Sequence, residues 1–303
     1  MNPRFRPFVY VALLYVVTAW ALNMIVAKQA IEQMNPLAFT FLRFLVMTPL
    51  SFLLVWASRS RLHIERRDIP SLLLVGACGF GIYQYLWVMG LSYTSPYATS
   101  LLGATSPIFT LALVAIAGHE HVRKLRFLGA AIALLGVAIF EGFFSGNASI
   151  RVGDTLVLCS AIVFAGYNVA GARLLERYST LELLAITMTI GTIMLVPGGL
   201  PPLLHVNFAA YGWDFWWRYA YATLFPILLT YPVWVWGLRE VGAGKGSIVQ
   251  FLMPVITGIL CVPILHSAFA SYELVGAAIC LGGMLFAFTL GRSRLPQAVP
   301  EFE

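Results

Sequence analysis

Apolar residues run through this chain in long blocks, and polar residues are confined to short breaks between them. The stretches 8–27, 97–117, 155–172, 183–211, 219–238 and 246–272 contain no Asp, Glu, Lys or Arg. About 20 consecutive apolar residues are enough for a helix to cross the hydrocarbon of a bilayer. The pattern predicts ten such spans, near 8–27, 37–57, 70–91, 97–117, 127–144, 155–174, 183–202, 219–238, 247–267 and 274–291. The connections are short, so the chain is expected to be all-α and embedded, with no large soluble domain. Arg4 and Arg6 precede the first span as in a signal peptide, but nine further spans follow and no small-residue cleavage site is evident. The first span is expected to stay.

The blocks also repeat. WVMGL at 87–91 returns as WVWGL at 234–238, an offset of 147 residues. The same offset pairs Ser100 with Ser247, Pro107 with Pro254, His119 with His266, and GAAIALLG at 129–136 with GAAICLGG at 276–283. Earlier in each half an offset of 145 pairs Asn23 with Asn168, Ala27 with Ala172 and Lys28 with Arg173. This reads as two five-helix units, 8–144 and 153–291, flanked by tails at 1–7 and 292–303. Because five is odd, the second unit enters the membrane inverted. Inverted repeats mark many secondary transporters, whose substrate sites lie near the midplane between the repeats.

Composition and charge sharpen this picture. The chain is 60% hydrophobic and 11% charged, with a mean hydropathy of +0.84. A soluble domain carries roughly 25% charged residues. With the N-terminus in the cytoplasm, that side collects fifteen of the nineteen Lys and Arg residues, and only Lys28, Arg151 and Arg218 fall opposite. Arg43 lies within a span. The bias predicts cytoplasmic tails at both ends, and the sequence pI near 9.3 then reflects loops facing anionic lipid, with no nucleic-acid partner required. Cys78, Cys159, Cys261 and Cys280 sit singly in spans, without metal-ligand or disulfide spacing, and read as small packing residues.

Prolines fall mid-span in both halves. Pro107 and Pro254 cannot donate to the carbonyls four residues earlier, leaving acceptors at Gly103 and Gln250. Such groups are tolerated at membrane depth only inside protein or along an aqueous cavity. Trp87 falls toward the outer face and Trp234 toward the inner one, a placement suited to a pair of alternating gates.

Several motifs resemble those of the ten-span drug/metabolite transporter superfamily, in particular its EamA-type permeases. WALNMIVAK at 20–28 looks like the Trp-x-x-Asn-x-x-x-x-Lys opening of that family. FLRFL at 41–45, TSPIFTLAL at 105–113 and GHEHVRKLRFLGAAIALLGV at 118–137 follow in the family's order, although Ala21 replaces a frequent Gly and LHSAFA at 265–270 lacks a Gly-Glu pair. The resemblance covers nearly all of 8–291. It implies a bacterial inner-membrane permease in which spans 1–4 and 6–9 surround a central cavity and spans 5 and 10 pack outside. The residues themselves support that last role. Gly129, Ala133 and Gly136, like Gly276, Cys280 and Gly283, form small stripes that permit close helix contact.

Each candidate cavity group has a plainer alternative. Tyr83, Gln84 and Tyr85 sit mid-span, aligned with Thr230, Tyr231 and Pro232, and could either hold a planar or cationic ligand or bond between helices. Asn23 and Asn168 read equally as ligand contacts or packing glue. Trp20 occupies a motif position that favours the cavity or gate over lipid, and Tyr167 stands beside Asn168. Arg43 is costly inside a span. It reads as a carboxylate-binding group, as a structural pair to a helix end, or as a cation snorkelling to the interface. Glu141 is the one acidic residue within the spans as drawn, near the end of span 5, and is expected to be interfacial. Transport coupling is therefore not expected to use a buried carboxylate relay.

The remaining motifs exclude other classes. GHEH at 118–121 is not His-Glu-x-x-His, and GAGKGS at 242–247 lacks a Gly-Lys followed directly by Ser or Thr. No enzyme and no cofactor is expected. The pattern points to an alternating-access exporter of small neutral or zwitterionic metabolites such as amino acids, compatible with a monomer. The alternative is a lipid-handling protein or channel built on the same cavity.

Overall fold

The computed structural model describes residues 6–60, 62–116, 124–143, 151–241 and 249–289, and every regular element among them is helical. The first half runs through α1 (Arg6–Ile31) and α2 (Pro36–Ala57), then α3 (Ile69–Gly76), a π turn (Ala77–Gly81) and α4 (Ile82–Tyr93). It continues through α5 (Pro96–Gly103) and α6 (Ser106–Ile116) to α7 (Lys124–Phe140). The second half has α8 (Val152–Leu174), α9 (Thr180–Leu204), α10 (Trp213–Leu224), a second π turn (Phe225–Thr230), α11 (Tyr231–Val241), α12 (Leu252–Leu265) and α13 (Ser271–Thr289). GHEH and GAGKGS lie outside the described residues, as do the tails at 1–5 and 290–303.

Local chemistry sets the starts of these helices. Asn35 Oδ1 accepts the N–H groups of Leu37 and Ala38 at 3.0 and 3.2 Å, and Pro36 takes the first helical position, where a missing N–H costs nothing. Ser179 and Glu182 form a reciprocal capping box at the start of α9. At the far end of α4, Lys28 Nζ donates to the carbonyls of Leu91 and Ser92 at 2.9 Å, placing a cation on the negative end of that helix. Between the α-helices, Arg177 pairs with Asp68 of the short 3-10 turn Arg66–Asp68 at 2.5 Å, and Tyr178 donates to the same carboxylate.

Among the described residues six passes are long and apolar enough to cross a membrane: Phe8–Ile31, Pro36–Ala57, Arg66–Tyr93, Pro96–Ile116, Val152–Leu174 and Thr180–Leu204. Leu125–Phe140, Leu252–Leu265 and Ser271–Ala287 are shorter apolar helices. The outer surface suits lipid, since side chains such as Trp56 and Ile116 are 77% and 83% exposed. Pro107 and Pro254 do not sit inside continuous helices. The chain turns at Ala104–Thr105 and at Phe251, and each proline lies in the first turn of the helix that follows. There its absent N–H removes no helical bond.

The small stripes do what their spacing predicts. α7 and α13 lie against one another so closely that a Cβ on Gly136 would meet Cys280 N at 2.2 Å, and one on Gly276 would meet Phe140 N at 2.3 Å. On the other side of the bundle α2 packs on α9, where Thr48 and Thr192 share a 2.7 Å hydroxyl bond.

Candidate transport cavity

Between α1, α2, the α3–α4 pass, the second π turn and α12 lies a cavity of about 220 Å³. α1 contributes Trp20, Asn23 and Met24 to its wall, and α2 contributes Arg43, Phe44 and Met47. Phe80, Tyr83, Gln84 and Trp87 come from the first π turn and α4, Pro226 from the second π turn, and Met253 from α12. The wall is mostly aromatic and sulfur-bearing, and among the described residues Arg43 is its one charged member.

Arg43 is 4% exposed and does not snorkel. Its Nε and Nη2 both donate to the carbonyl of Ala222, at 3.1 and 2.6 Å, and the guanidinium lies 5.6 Å from the Phe39 ring centroid. The reason this carbonyl is available lies four residues on. Pro226 has no N–H to return the helical bond. Arg43 supplies the missing donors. No ion pair of Arg43 occurs among the described residues, so a guanidinium with five N–H donors is set against one carbonyl. Nearby, Asn23 Oδ1 is buried without a hydrogen-bond partner.

An aromatic pair closes one side of this space. Trp20 Nε1 donates to Thr230 Oγ1 at 2.7 Å, and its ring lies 5.2 Å from that of Trp234, tilted by 54°. The Thr230 hydroxyl turns back toward the carbonyls of Phe225 and Pro226, at 3.1 and 3.2 Å. Trp234 is buried among Val9, Leu13, Val16 and Val17 of α1.

Of the residues expected in the cavity from sequence, Trp20, Asn23, Arg43, Tyr83, Gln84 and Trp87 line it. Tyr85 does not: it is 43% exposed and sits beside Gly198 of α9. Tyr167 stacks on Phe164 at 5.2 Å and fills the space next to Gly79. Asn168 Nδ2 donates to Thr110 Oγ1 at 3.3 Å, a tie between α8 and α6. Gly103, Pro107, Tyr231, Gln250 and Pro254 also lie outside this wall. The acidic residues keep away as well. Asp154, Glu182 and Glu273 occupy first turns of α8, α9 and α13, where negative charge suits the helix dipole, and Glu141 lies in the turn after α7.

The family model for EamA-like transporters matches residues 7–141 and again 151–289. The chain belongs to the EamA-like transporter family. Membership makes it a membrane transporter or exporter and not an enzyme. Among EamA-like relatives, a protein of Streptantibioticus cattleyicolor named as a probable terminal-alkyne amino-acid exporter is 29% identical over 230 residues, 75% of this chain and 76% of that one. An uncharacterized transporter of Bacillus subtilis is 26% identical across 89% of this chain and 90% of its own. A probable amino-acid metabolite efflux pump of Salmonella typhimurium is 24% identical across 92% and 95%. A solved crystal structure covering 94% of this chain superposes with a TM-score of 0.65 at 17% identity, a likeness of fold.

Sequence reasoning missed Pro226, Phe44, Phe80 and the methionines Met24, Met47 and Met253. Pro226 was open to the same argument as Pro107, since it too is a proline within an apolar block. Phe80 and the methionines carry no signal that separates a cavity wall from ordinary core.

Proposed function

We propose that this EamA-like transporter exports small neutral or zwitterionic metabolites, amino acids among them, by alternating access through the cavity around Arg43. The observation that carries the reading is a buried cation in that wall with no carboxylate beside it among the described residues. Leaving a charge under-compensated at membrane depth is costly, and a substrate carboxylate relieves it. Asn23 Oδ1 offers an acceptor to an ammonium, and the rings of Trp20, Phe44, Phe80 and Tyr83 offer faces to cations or flat side chains. A volume of about 220 Å³ is smaller than the roughly 300–1,000 Å³ of drug-sized pockets, which favours metabolites over large drugs.

In this reading the ten spans form two inverted five-helix repeats, 8–144 and 153–291, in a bacterial inner membrane with both tails cytoplasmic. Trp87 and Trp234 act as the gates. The recurrence of a π turn and of a helix break at nearly the 147-residue offset of the sequence repeat supports the duplication. The names of the Streptantibioticus and Salmonella relatives support amino-acid export. The test is counterflow in proteoliposomes against labelled amino acids, nucleosides and organic cations. Saturable exchange of at least one zwitterion is expected. Exchange confined to organic cations, or continuous unsaturable leak, would defeat it.

A further inference from the structure

The second π turn holds an arrangement that a binding site alone does not need. Pro226 strands the Ala222 carbonyl, Arg43 places two N–H donors on it, and both residues face the same cavity. The carbonyls of Phe225 and Pro226, at the start of the turn, hold the Thr230 hydroxyl, and that hydroxyl accepts the indole N–H of Trp20. Trp20 in turn rests on Trp234. Every link from Arg43 to the tryptophan pair is thus a hydrogen bond, a ring contact or the few residues of one turn.

A π turn suits this position. It is a single widened turn within a helix, found often at functional sites, and its backbone bonds are readily rearranged. The Ala222 carbonyl is a weak partner for a guanidinium compared with a carboxylate, which offers charge and a two-oxygen edge matched to the arginine fork. A carboxylate entering the cavity therefore competes with Ala222 for Arg43 and wins. Once Arg43 leaves, the usual donor four residues on is missing because residue 226 is proline, and the carbonyl can be satisfied only from the fifth residue, by rearranging the turn.

We propose that Arg43 is a latch shared between substrate and gate: it holds the second π turn while the cavity is empty, and a carboxylate-bearing substrate draws it away from Ala222, loosening the turn that anchors Trp20 through Thr230. Pro226 is then a positioning residue, since it creates the acceptor that substrate must displace. This rests on the substrate reading above and adds to it that the carboxylate, not the ammonium or the side chain, releases the gate. Amino acids and their α-amides should differ in that respect even where both fit.

The test uses the full chain in nanodiscs with L-phenylalanine, L-leucine and L-threonine, each compared with its α-amide. Pro226→Ala restores a peptide N–H four residues after Ala222 and frees Arg43 from the latch. The variant should raise the ratio of amino-acid to amide affinity about tenfold, the size of one charge-assisted hydrogen bond. Hydrogen exchange on the unmodified chain gives a second readout that does not depend on the variant folding. The amino acids, and not the amides, should speed exchange of the amides at 227–234. Equal effects of acid and amide in either measurement, or no effect of Pro226→Ala on the affinity ratio, would overturn the latch while leaving a transporter of zwitterions intact. If the unmodified chain binds none of the amino acids, the latch and the substrate reading fall together.

Discussion

The two π turns sit at nearly the same offset as the sequence repeat, yet they are held by opposite means. The first, at Ala77–Gly81, is packed. A Cβ on Gly79 would meet the Tyr167 ring at 2.3 Å, and Gly191 of α9 lies so near the turn that a Cβ there would meet the backbone carbon and oxygen of Phe80 at 2.7 Å. The second, at Phe225–Thr230, follows directly on the end of α10 that Arg43 holds through the Ala222 carbonyl, and the carbonyls of Phe225 and Pro226 bond Thr230 beside a cavity. Close packing without voids resists deformation. A polar anchor that a ligand can outbid does not. The contrast separates a turn fixed by packing, although its Phe80 also faces the cavity, from one whose polar anchor a substrate can compete for.

Substitutions that strike one turn and spare the other break or sharpen this contrast. The largest effect is expected from Arg43→Met, which removes the cavity's charge and strands the Ala222 carbonyl. Counterflow of a zwitterion at low concentration should fall roughly ten- to a hundredfold, from loss of a charge-assisted contact of about 1.5–3 kcal/mol. Arg43→Lys should recover only part of that rate, because a point charge lacks the fork. Next, Gly191→Ala strikes the packed turn. It should lower stability by about 1–3 kcal/mol through overpacking, read as an earlier thermal transition in detergent, with the KM of the surviving protein little changed. If it raised KM as strongly as Arg43→Met, the two turns would not be distinct in role.

A smaller effect is expected from Thr230→Val, which leaves the Trp20 N–H without its acceptor. The desolvation cost of about 1–3 kcal/mol falls on the state in which the tryptophans are engaged. Maximal exchange rate should change severalfold with little change in substrate affinity, and a change confined to affinity would contradict a gate. The smallest effect is expected at Glu141. Glu141→Gln should leave pH-gradient-driven transport in proteoliposomes unaltered, because no carboxylate lines the cavity among the described residues. Its loss with binding intact would reinstate a carboxylate relay.

Much of this was legible in the sequence, and the boundary between the legible and the hidden is physical. Apolar block length predicts the long passes because a bilayer sets that length. The stripes through Gly136 and Gly276 predict close contact because only small side chains permit it. Arg43 was marked as a costly residue, but its partner lies 179 residues away and is a main-chain carbonyl, which no side-chain pattern encodes. Tyr85 fails for a simpler reason. Neighbours in a helix point in different directions, so Tyr83, Gln84 and Trp87 reach one cavity while a residue two positions from Tyr83 faces elsewhere. Asn23 and Asn168, matched in sequence, part company because the Asn168 Nδ2 finds Thr110 while the buried Oδ1 of Asn23 meets no partner among the described residues.

The seam between α7 and α13 has a consequence of its own. One helix ends the first half and the other ends the second, and along Gly129, Gly136, Gly276 and Gly283 their main chains touch with no room for an added carbon. A joint that tight cannot slide without collision. The last helices of the two halves are thereby clasped into a single piece, so that any displacement of one must carry the other with it.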